Sequence, residues 1–323
     1  MSTLKNKVVT VFGGTGFLGR NLVAALVKEG AIVRVPSRLK NSAYRLRTGA
    51  LVGQVVPMQI DFDDEHSVQS VLKGADYAVN LIGILTETGR TRYTPIHEEL
   101  AGKIAHHCEK AKIRHFVHIS ALGADAHAPS RYQRSKAAGE KAVLKKIKTA
   151  TILRPSIIFG EGDGFFSRFA RMARILPVLP LIGGGRTRFQ PVFVGDIVET
   201  IITALMNYDH APDVFDGQVI ECAGPGTYTY KELMEYILEQ TGTHAMLIRL
   251  PWSISKLMGA ILQNLPGKML TVDQVKSLKQ DNVVTGNTLT MDDIGIVPTP
   301  VEVIVPDYLV TYRTGGQFAR KKT

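Results

Sequence analysis

Ser120, Tyr132 and Lys136 are the residues of this 323-residue chain whose types and spacing best suit chemistry. Tyr132 and Lys136 stand four apart in Tyr132-Gln133-Arg134-Ser135-Lys136, so a helix places phenol and ammonium on one face. A neighbouring ammonium stabilises tyrosinate and moves the phenol toward use as a general acid or base. Ser120 ends the β-rich run Phe116-Val117-His118-Ile119. Its hydroxyl is suited to hydrogen-bond a substrate oxygen and orient it for hydride transfer. A Tyr-x-x-x-Lys alone is common; one helix beyond a strand-terminal serine it carries weight.

The elements that must position these groups begin with Val8-Val9-Thr10-Val11-Phe12, an apolar run suited to a buried parallel strand. It enters Gly13-Gly14-Thr15-Gly16-Phe17-Leu18-Gly19, after which Leu22, Val23, Leu26 and Val27 repeat at helical spacing. Glycines at these places allow a tight turn, backbone approach to a pyrophosphate, and helix-on-strand packing, while the helix N-terminus offers amide donors. The alternative is a strand–helix turn that holds no nucleotide. The second strand, Ala31 to Val35, runs into Pro36-Ser37-Arg38. Ser37 stands where an NAD-binding chain usually carries an acid, and Arg38 offers a charged fork to a 2′-phosphate. The expected cofactor is therefore NADP(H), the alternative for Arg38 being a solvated loop charge.

Strand three, Gln54 to Ile60, leads to Asp61-Phe62, positioned to bracket an adenine; strand four leads through Leu81-Ile82 to Gly83. Strands separated by helical segments imply a parallel sheet with right-handed crossovers, and ligand sits over the carboxyl ends of its strands. Gly16, Arg38, Asp61, Gly83 and Ser120 all fall there. Tyr132 and Lys136 then either move a proton or hold the nicotinamide ribose.

The Ser–Tyr-x-x-x-Lys set resembles the catalytic residues of short-chain dehydrogenase/reductases. Ile152-Leu153-Arg154-Pro155-Ser156-Ile157-Ile158-Phe159-Gly160 resembles the strand-six motif of their extended members, which implies that Pro155, Ile157 and Ile158 pack against the nicotinamide. Phe189 to Asp196 resembles their later segment that returns the chain to the core. Residues 36–38, 80–83, 131–141, 188–192 and 289–298 look like one atypical branch. That branch is the family of the NADPH-bearing accessory subunit of respiratory complex I, subunit nine of the alpha subcomplex, with its bacterial relatives. The resemblance implies a tightly held, structural NADPH, and related proteins are implicated in ubiquinone synthesis. Mitochondrial members carry a targeting peptide that this sequence lacks, so a bacterial relative is expected.

The expected fold is α/β, a doubly wound parallel Rossmann sheet with a smaller, discontinuous C-terminal α/β domain. Residues 1–155 plus 189–222 would form the first, 156–188 plus 223–312 the second, and 313–323 a basic tail. No stretch of eighteen apolar residues occurs, which argues against a transmembrane helix. The residues before Val8 leave no room for a signal peptide, and Cys108 and Cys222 lie far apart, so a cytoplasmic chain with reduced thiols is expected. The net charge of +10 favours an anionic partner; no nucleic-acid recognition motif accompanies it. His106, His107, Cys108, His115 and His118 lack metal-ligand spacing, and no metal is expected. Phe165, Phe166, Phe169, Met172, Ala173 and Leu176 share one helical face, and Ile254, Leu257, Met258, Ile261, Leu262 and Leu265 another. These stripes suit core packing or a partner surface alike.

Three functions stay open. The first is an accessory protein of complex I or a quinone-related assembly, peripheral at the cytoplasmic face of the inner membrane. The second is a soluble NADPH-dependent reductase, dehydrogenase or epimerase acting on a lipophilic carbonyl or sugar nucleotide. The third is an NADP(H)-responsive regulator.

Overall fold

The computed structural model describes residues 4–48, 50–89, 91–207, 212–265 and 270–313. Eight strands form one parallel sheet: β1 (Val8–Phe12), β2 (Ile32–Ser37), β3 (Val55–Gln59), β4 (Tyr77–Asn80), β5 (His115–Ile119), β6 (Thr151–Pro155), β7 (Val219–Cys222) and β8 (Leu289–Thr290). Their spatial order is β8-β7-β6-β5-β4-β1-β2-β3. The order reverses at β1, which pairs with β2 on one side and β4 on the other. A crevice at their carboxyl ends follows from that switch.

The longer α-helices are α1 (Phe17–Lys28), α2 (Glu65–Leu72), α3 (Leu100–Lys110), α4 (Arg131–Leu144), α5 (Phe166–Ile175), α6 (Val194–Asn207), α7 (Tyr230–Thr241), α8 (Trp252–Leu262), α9 (Val272–Ser277) and α10 (Val301–Leu309). Side chains alternate across a strand, and both sheet faces are covered. Val9 and Val11 pack with Leu22 and Leu26 of α1 and Ile197 and Ile201 of α6. Phe12, Ala78 and Phe116 pack on the other face with Val68 of α2, Ile104 of α3 and Val143 of α4. Double coverage is why these strands read as apolar runs rather than as alternating ones.

A second core gathers Phe159, Phe166, Phe189, Leu233, Val275 and Val305, drawing α5, α7, α9 and α10 together. The parallel strand pair Val178–Ile182 and Met246–Leu250 lies beside it. Local signals set α7: Thr229 and Glu232 form a capping box at its start, and Gly242 at φ 62° stops it. Leu289–Thr290, within the 223–312 range expected of the smaller unit, pairs with β7 and forms one edge of the large sheet. Of the basic tail expected at 313–323, residues 314–323 lie outside the described residues.

Candidate functional site

Gly13 adopts φ 82°. The Gly14 N–H donates to the Val11 carbonyl (3.3 Å) and the Gly16 N–H to the Gly13 carbonyl (3.0 Å), which closes the turn before α1. A Cβ on Gly19 would collide with the Gly13 carbonyl and lie 2.6 Å from the Gly14 carbonyl carbon. Only glycine lets α1 pack so closely on the turn. A Cβ on Gly16 would meet the Gly13 oxygen alone, at 3.3 Å, so the space before the turn is open. No side chain caps α1 and its first turn holds no acid, which leaves its first amides for an anion.

Toward β2, Thr15, Arg20, Ser42, Arg45 and Leu46 line a cavity of about 490 Å³. Ser37 Oγ hydrogen-bonds Ser42 Oγ (2.7 Å) and donates to the Leu39 carbonyl (3.0 Å); Arg38 beside it is exposed. The Ile60 N–H donates to the Ser37 carbonyl, which brings Asp61 to the same edge. Asp61 Oδ1 accepts from the Asp63 N–H (2.9 Å), and the Phe62 ring lies 6.3 Å from that of Phe12. Arg20 and Arg45 were not singled out in the sequence, although Arg20 directly follows Gly19.

The other half of the crevice holds the proton-bearing groups. A Cβ on Gly13 would sit 3.1 Å from the Leu81 carbonyl carbon, so the turn abuts Leu81-Ile82 directly. A Cβ on Gly83 would sit 3.3 Å from Lys136 Nζ. Lys136 is buried, and its Nζ donates to the carbonyl of Ile119 (3.0 Å), the residue before Ser120. Burial lowers its ammonium to about 8 against the opposing pull of Glu140. The buried Ser120 Oγ has no hydrogen-bond partner among the described residues. The Tyr132 ring stands edge-on to Tyr93 and His97, at 5.8 and 5.6 Å between centroids. Burial pushes the phenol up to about 12, opposite to the direction expected of a tyrosine beside Lys⁺. In this state Tyr132 is a neutral phenol and Lys136 largely an ammonium at neutral pH.

After β6, the Leu122 N–H donates to the Pro155 carbonyl and the Val192 N–H to the Ile157 carbonyl. Ile158 pairs with Val192. A Cβ on Gly160 would lie 3.5 Å from Phe17 Cζ, so this segment returns over the glycine turn. The structure thus places 13–19, 81–83, 120, 132, 136 and 155–158 around one crevice, with 37–38 and 61–62 at its far end.

Five supporting residues, His97, Ser135, Asn80, His118 and Asp273, were not read from the sequence as part of the site. His97, in the π-turn Thr94–Glu99, accepts the Ile84 N–H at Nε2 (3.0 Å), so its Nδ1 carries the proton and donates to Ser135 Oγ (2.8 Å). Ser135 Oγ in turn donates to the Tyr132 carbonyl (2.7 Å). Asn80 Nδ2 donates to His118 Nδ1 (3.1 Å). Burial first, and the Lys136 amine second, hold both imidazoles neutral, at about 3. Asp273 of α9 accepts from Ser130 Oγ (2.9 Å) and from the N–H groups of Arg131 (2.7 Å) and Tyr132 (3.0 Å). His115 is occupied with Thr151 (2.8 Å), and among the described residues no group of three or more His, Cys, Asp or Glu is placed to hold a metal.

Residues 9–216 match the NAD dependent epimerase/dehydratase family. The chain is 35% identical, over 98% of its own length and 80% of the relative's, to mitochondrial NADH dehydrogenase [ubiquinone] 1 alpha subcomplex subunit 9 of Arabidopsis thaliana. It is 28% identical to a ceramide reductase of Caulobacter vibrioides, covering 78% of this chain and 76% of that one. The fold matches an NADPH-dependent quinone oxidoreductase from Escherichia coli, solved with NADPH, at a TM-score of 0.70 and 20% identity over 93% of this chain and 99% of the other. An open glycine turn ahead of an uncapped helix, a match to the family model over residues 9–216, and a likeness along nearly the whole length agree: the chain belongs to the NAD dependent epimerase/dehydratase family, on the branch of the alpha subcomplex subunit 9 proteins.

Proposed function

We propose that this chain is an NADP(H)-holding accessory subunit that docks on respiratory complex I. The observation that carries the reading is the reach of its likeness to subunit 9, which spans 98% of the chain and so includes the smaller unit as well as the nucleotide cradle. The pyrophosphate would lie on Gly13–Gly19, including the Thr15, Phe17 and Leu18 backbone, and the adenine beside Asp61 and Phe62. The nicotinamide would lie among Leu81, Ile82, Gly83, Pro155, Ile157 and Ile158. Arg20 and Arg45, with Arg38 at the end of β2, favour a 2′-phosphate, since the residues lining that cavity include two guanidinium groups and no acid. When bound, the nicotinamide supplies a hydride donor or acceptor; Tyr132 and Lys136 hold its ribose. Holding is favoured over turnover because the Lys136 amine is engaged by the Ile119 carbonyl.

No helix of the described residues is long and apolar enough to cross a membrane. Attachment at the cytoplasmic face of an inner membrane would use the exposed Ile254, Leu257, Ile261 and Leu265 of α8 and the turn after it. Titration of the purified protein with NADPH and NADH tests the cofactor: tighter NADPH is expected, and tighter NADH removes the 2′-phosphate site.

A second reading is favoured by the intact Ser120, Tyr132 and Lys136 set. A soluble NADPH-dependent reductase, dehydrogenase or epimerase would use Tyr132 to pass a proton to a lipophilic carbonyl or sugar nucleotide, with Ser120 on the reacting oxygen. Substrate-dependent NADPH oxidation by the purified chain would select it.

A further inference from the structure

We propose that Asp273 is a positioning residue that couples the smaller unit to α4, so that nucleotide affinity depends on how α8 and α9 are seated. The proposal rests on the nucleotide-binding reading above and adds a control to that same site.

Asp273 lies in the first turn of α9, yet it serves a different helix. The start of α9 is already capped by Thr271 Oγ1, which accepts from the Gln274 N–H (3.1 Å), while Gln274 Oε1 accepts from the Thr271 N–H (3.0 Å). The Asp273 carboxylate reaches instead to the start of α4, 141 to 143 residues away in sequence, and takes three hydrogen bonds there. One of its donors is the backbone N–H of Tyr132 itself. The α4 start is otherwise weakly served: Ser130 Oγ is 3.5 Å from the Gln133 N–H, and the first turn of α4 contains no acid. The carboxylate that accepts from the backbone amides of this helix terminus therefore comes from the smaller unit. Lys136 stands one turn further along.

The seat of Asp273 is fixed from behind by α8. A Cβ on Gly259 would lie 3.1 Å from the Thr271 carbonyl carbon and 3.2 Å from the Val272 nitrogen, so α8 bears directly on the backbone that leads into Asp273. The other side of α8 exposes Ile254, Leu257 and Ile261. A shift of α8 is thus passed through Thr271–Asp273 to the amide of Tyr132, and from there to the groups assigned to the nicotinamide ribose.

The test is a double-mutant cycle with two readouts. NADPH affinity is measured by cofactor fluorescence, and hydrogen exchange of the 131–136 amides is followed in the cofactor-free protein. Asp273→Asn keeps the size of the side chain and removes its charge. It should weaken NADPH about tenfold and speed 131–136 exchange by a similar factor. Gly259→Ala should weaken NADPH in the parent chain but add nothing to Asp273→Asn, because both act through one contact. Asp273→Glu should restore part of the loss, and it provides the charge-retaining arm should the Asn variant fail to fold. Faster exchange with unchanged NADPH affinity would make Asp273 a structural cap only and overturn the proposal, as would additive effects. Failure of the parent chain to bind NADPH would sink the nucleotide reading instead. The exchange cycle alone then decides the coupling: non-additive acceleration supports it, and unchanged or additive exchange overturns it.

Discussion

Acidification from pH 7.5 to 5.5 should destabilise the protein by up to about 4 kcal/mol through three buried histidines. His97, His115 and His118 are each no more than 2% exposed, and burial holds them down at about 3, 4 and 3. Their folded values lie below the unfolded value of about 6.5, so the native imidazoles stay neutral while the unfolded ones take up protons. Stability from this source is therefore complete above the unfolded value and is lost as pH falls through it toward the folded values. Over this window each histidine contributes about 1.4 kcal/mol of loss, a large part of a typical stability of 5–15 kcal/mol. Asp163 and Asp196, raised by burial, act in the opposite direction, so the histidine share is isolated by substitution. His97→Gln retains an acceptor for the Ile84 N–H and should shrink the loss by about a third. Urea unfolding followed by the fluorescence of Trp252, the single tryptophan, and by far-UV circular dichroism at pH 7.5, 6.5 and 5.5 measures it. An unchanged pH dependence in His97→Gln would refute the assignment of a neutral buried imidazole.

Gly19→Ala should abolish detectable NADPH binding and lower stability by about 1–3 kcal/mol, because its Cβ meets backbone rather than a movable side chain; titration and thermal melting check both. Arg45→Ala should weaken NADPH about tenfold and leave NADH unchanged, whereas equal loss for both cofactors would remove Arg45 from the phosphate site. Tyr132→Phe should eliminate any NADPH-linked turnover and weaken NADPH by up to about tenfold through the lost ribose hydrogen bond; retained turnover in that variant rules Tyr132 out as the proton donor.

The Rossmann half of the chain was legible because its signals are local. Apolar runs mark strands buried on both faces, and the glycines from Gly13 to Gly19 mark a turn that only glycine permits. The four-residue spacing of Tyr132 and Lys136 needed nothing beyond a helix. The supports of the site were not legible for the converse reason. Asp273 meets Tyr132 across 141 residues, and the only local trace was the Thr271–Gln274 capping box, which announces a helix start but not its partner. His97 is fixed by a π-turn and a close approach to Gly139, neither of which has a periodic signature. The two-residue strand Leu289–Thr290 is too short to show alternation, and tertiary pairing alone defines it. The phenol of Tyr132 shows the same limit in electrostatics: spacing placed a cation near it, while burial decided the direction of its shift.

The proposed role is that of a nucleotide-holding subunit docked on a respiratory complex. Its most direct test is a native gel of gently solubilised membranes and the soluble fraction, probed for this chain at its natural abundance. Co-migration with a large NADH-oxidising band, with NADPH recovered from that band, is the result predicted. A free, soluble species absent from that band would contradict it and turn attention to Tyr132 as the acid of a reductase.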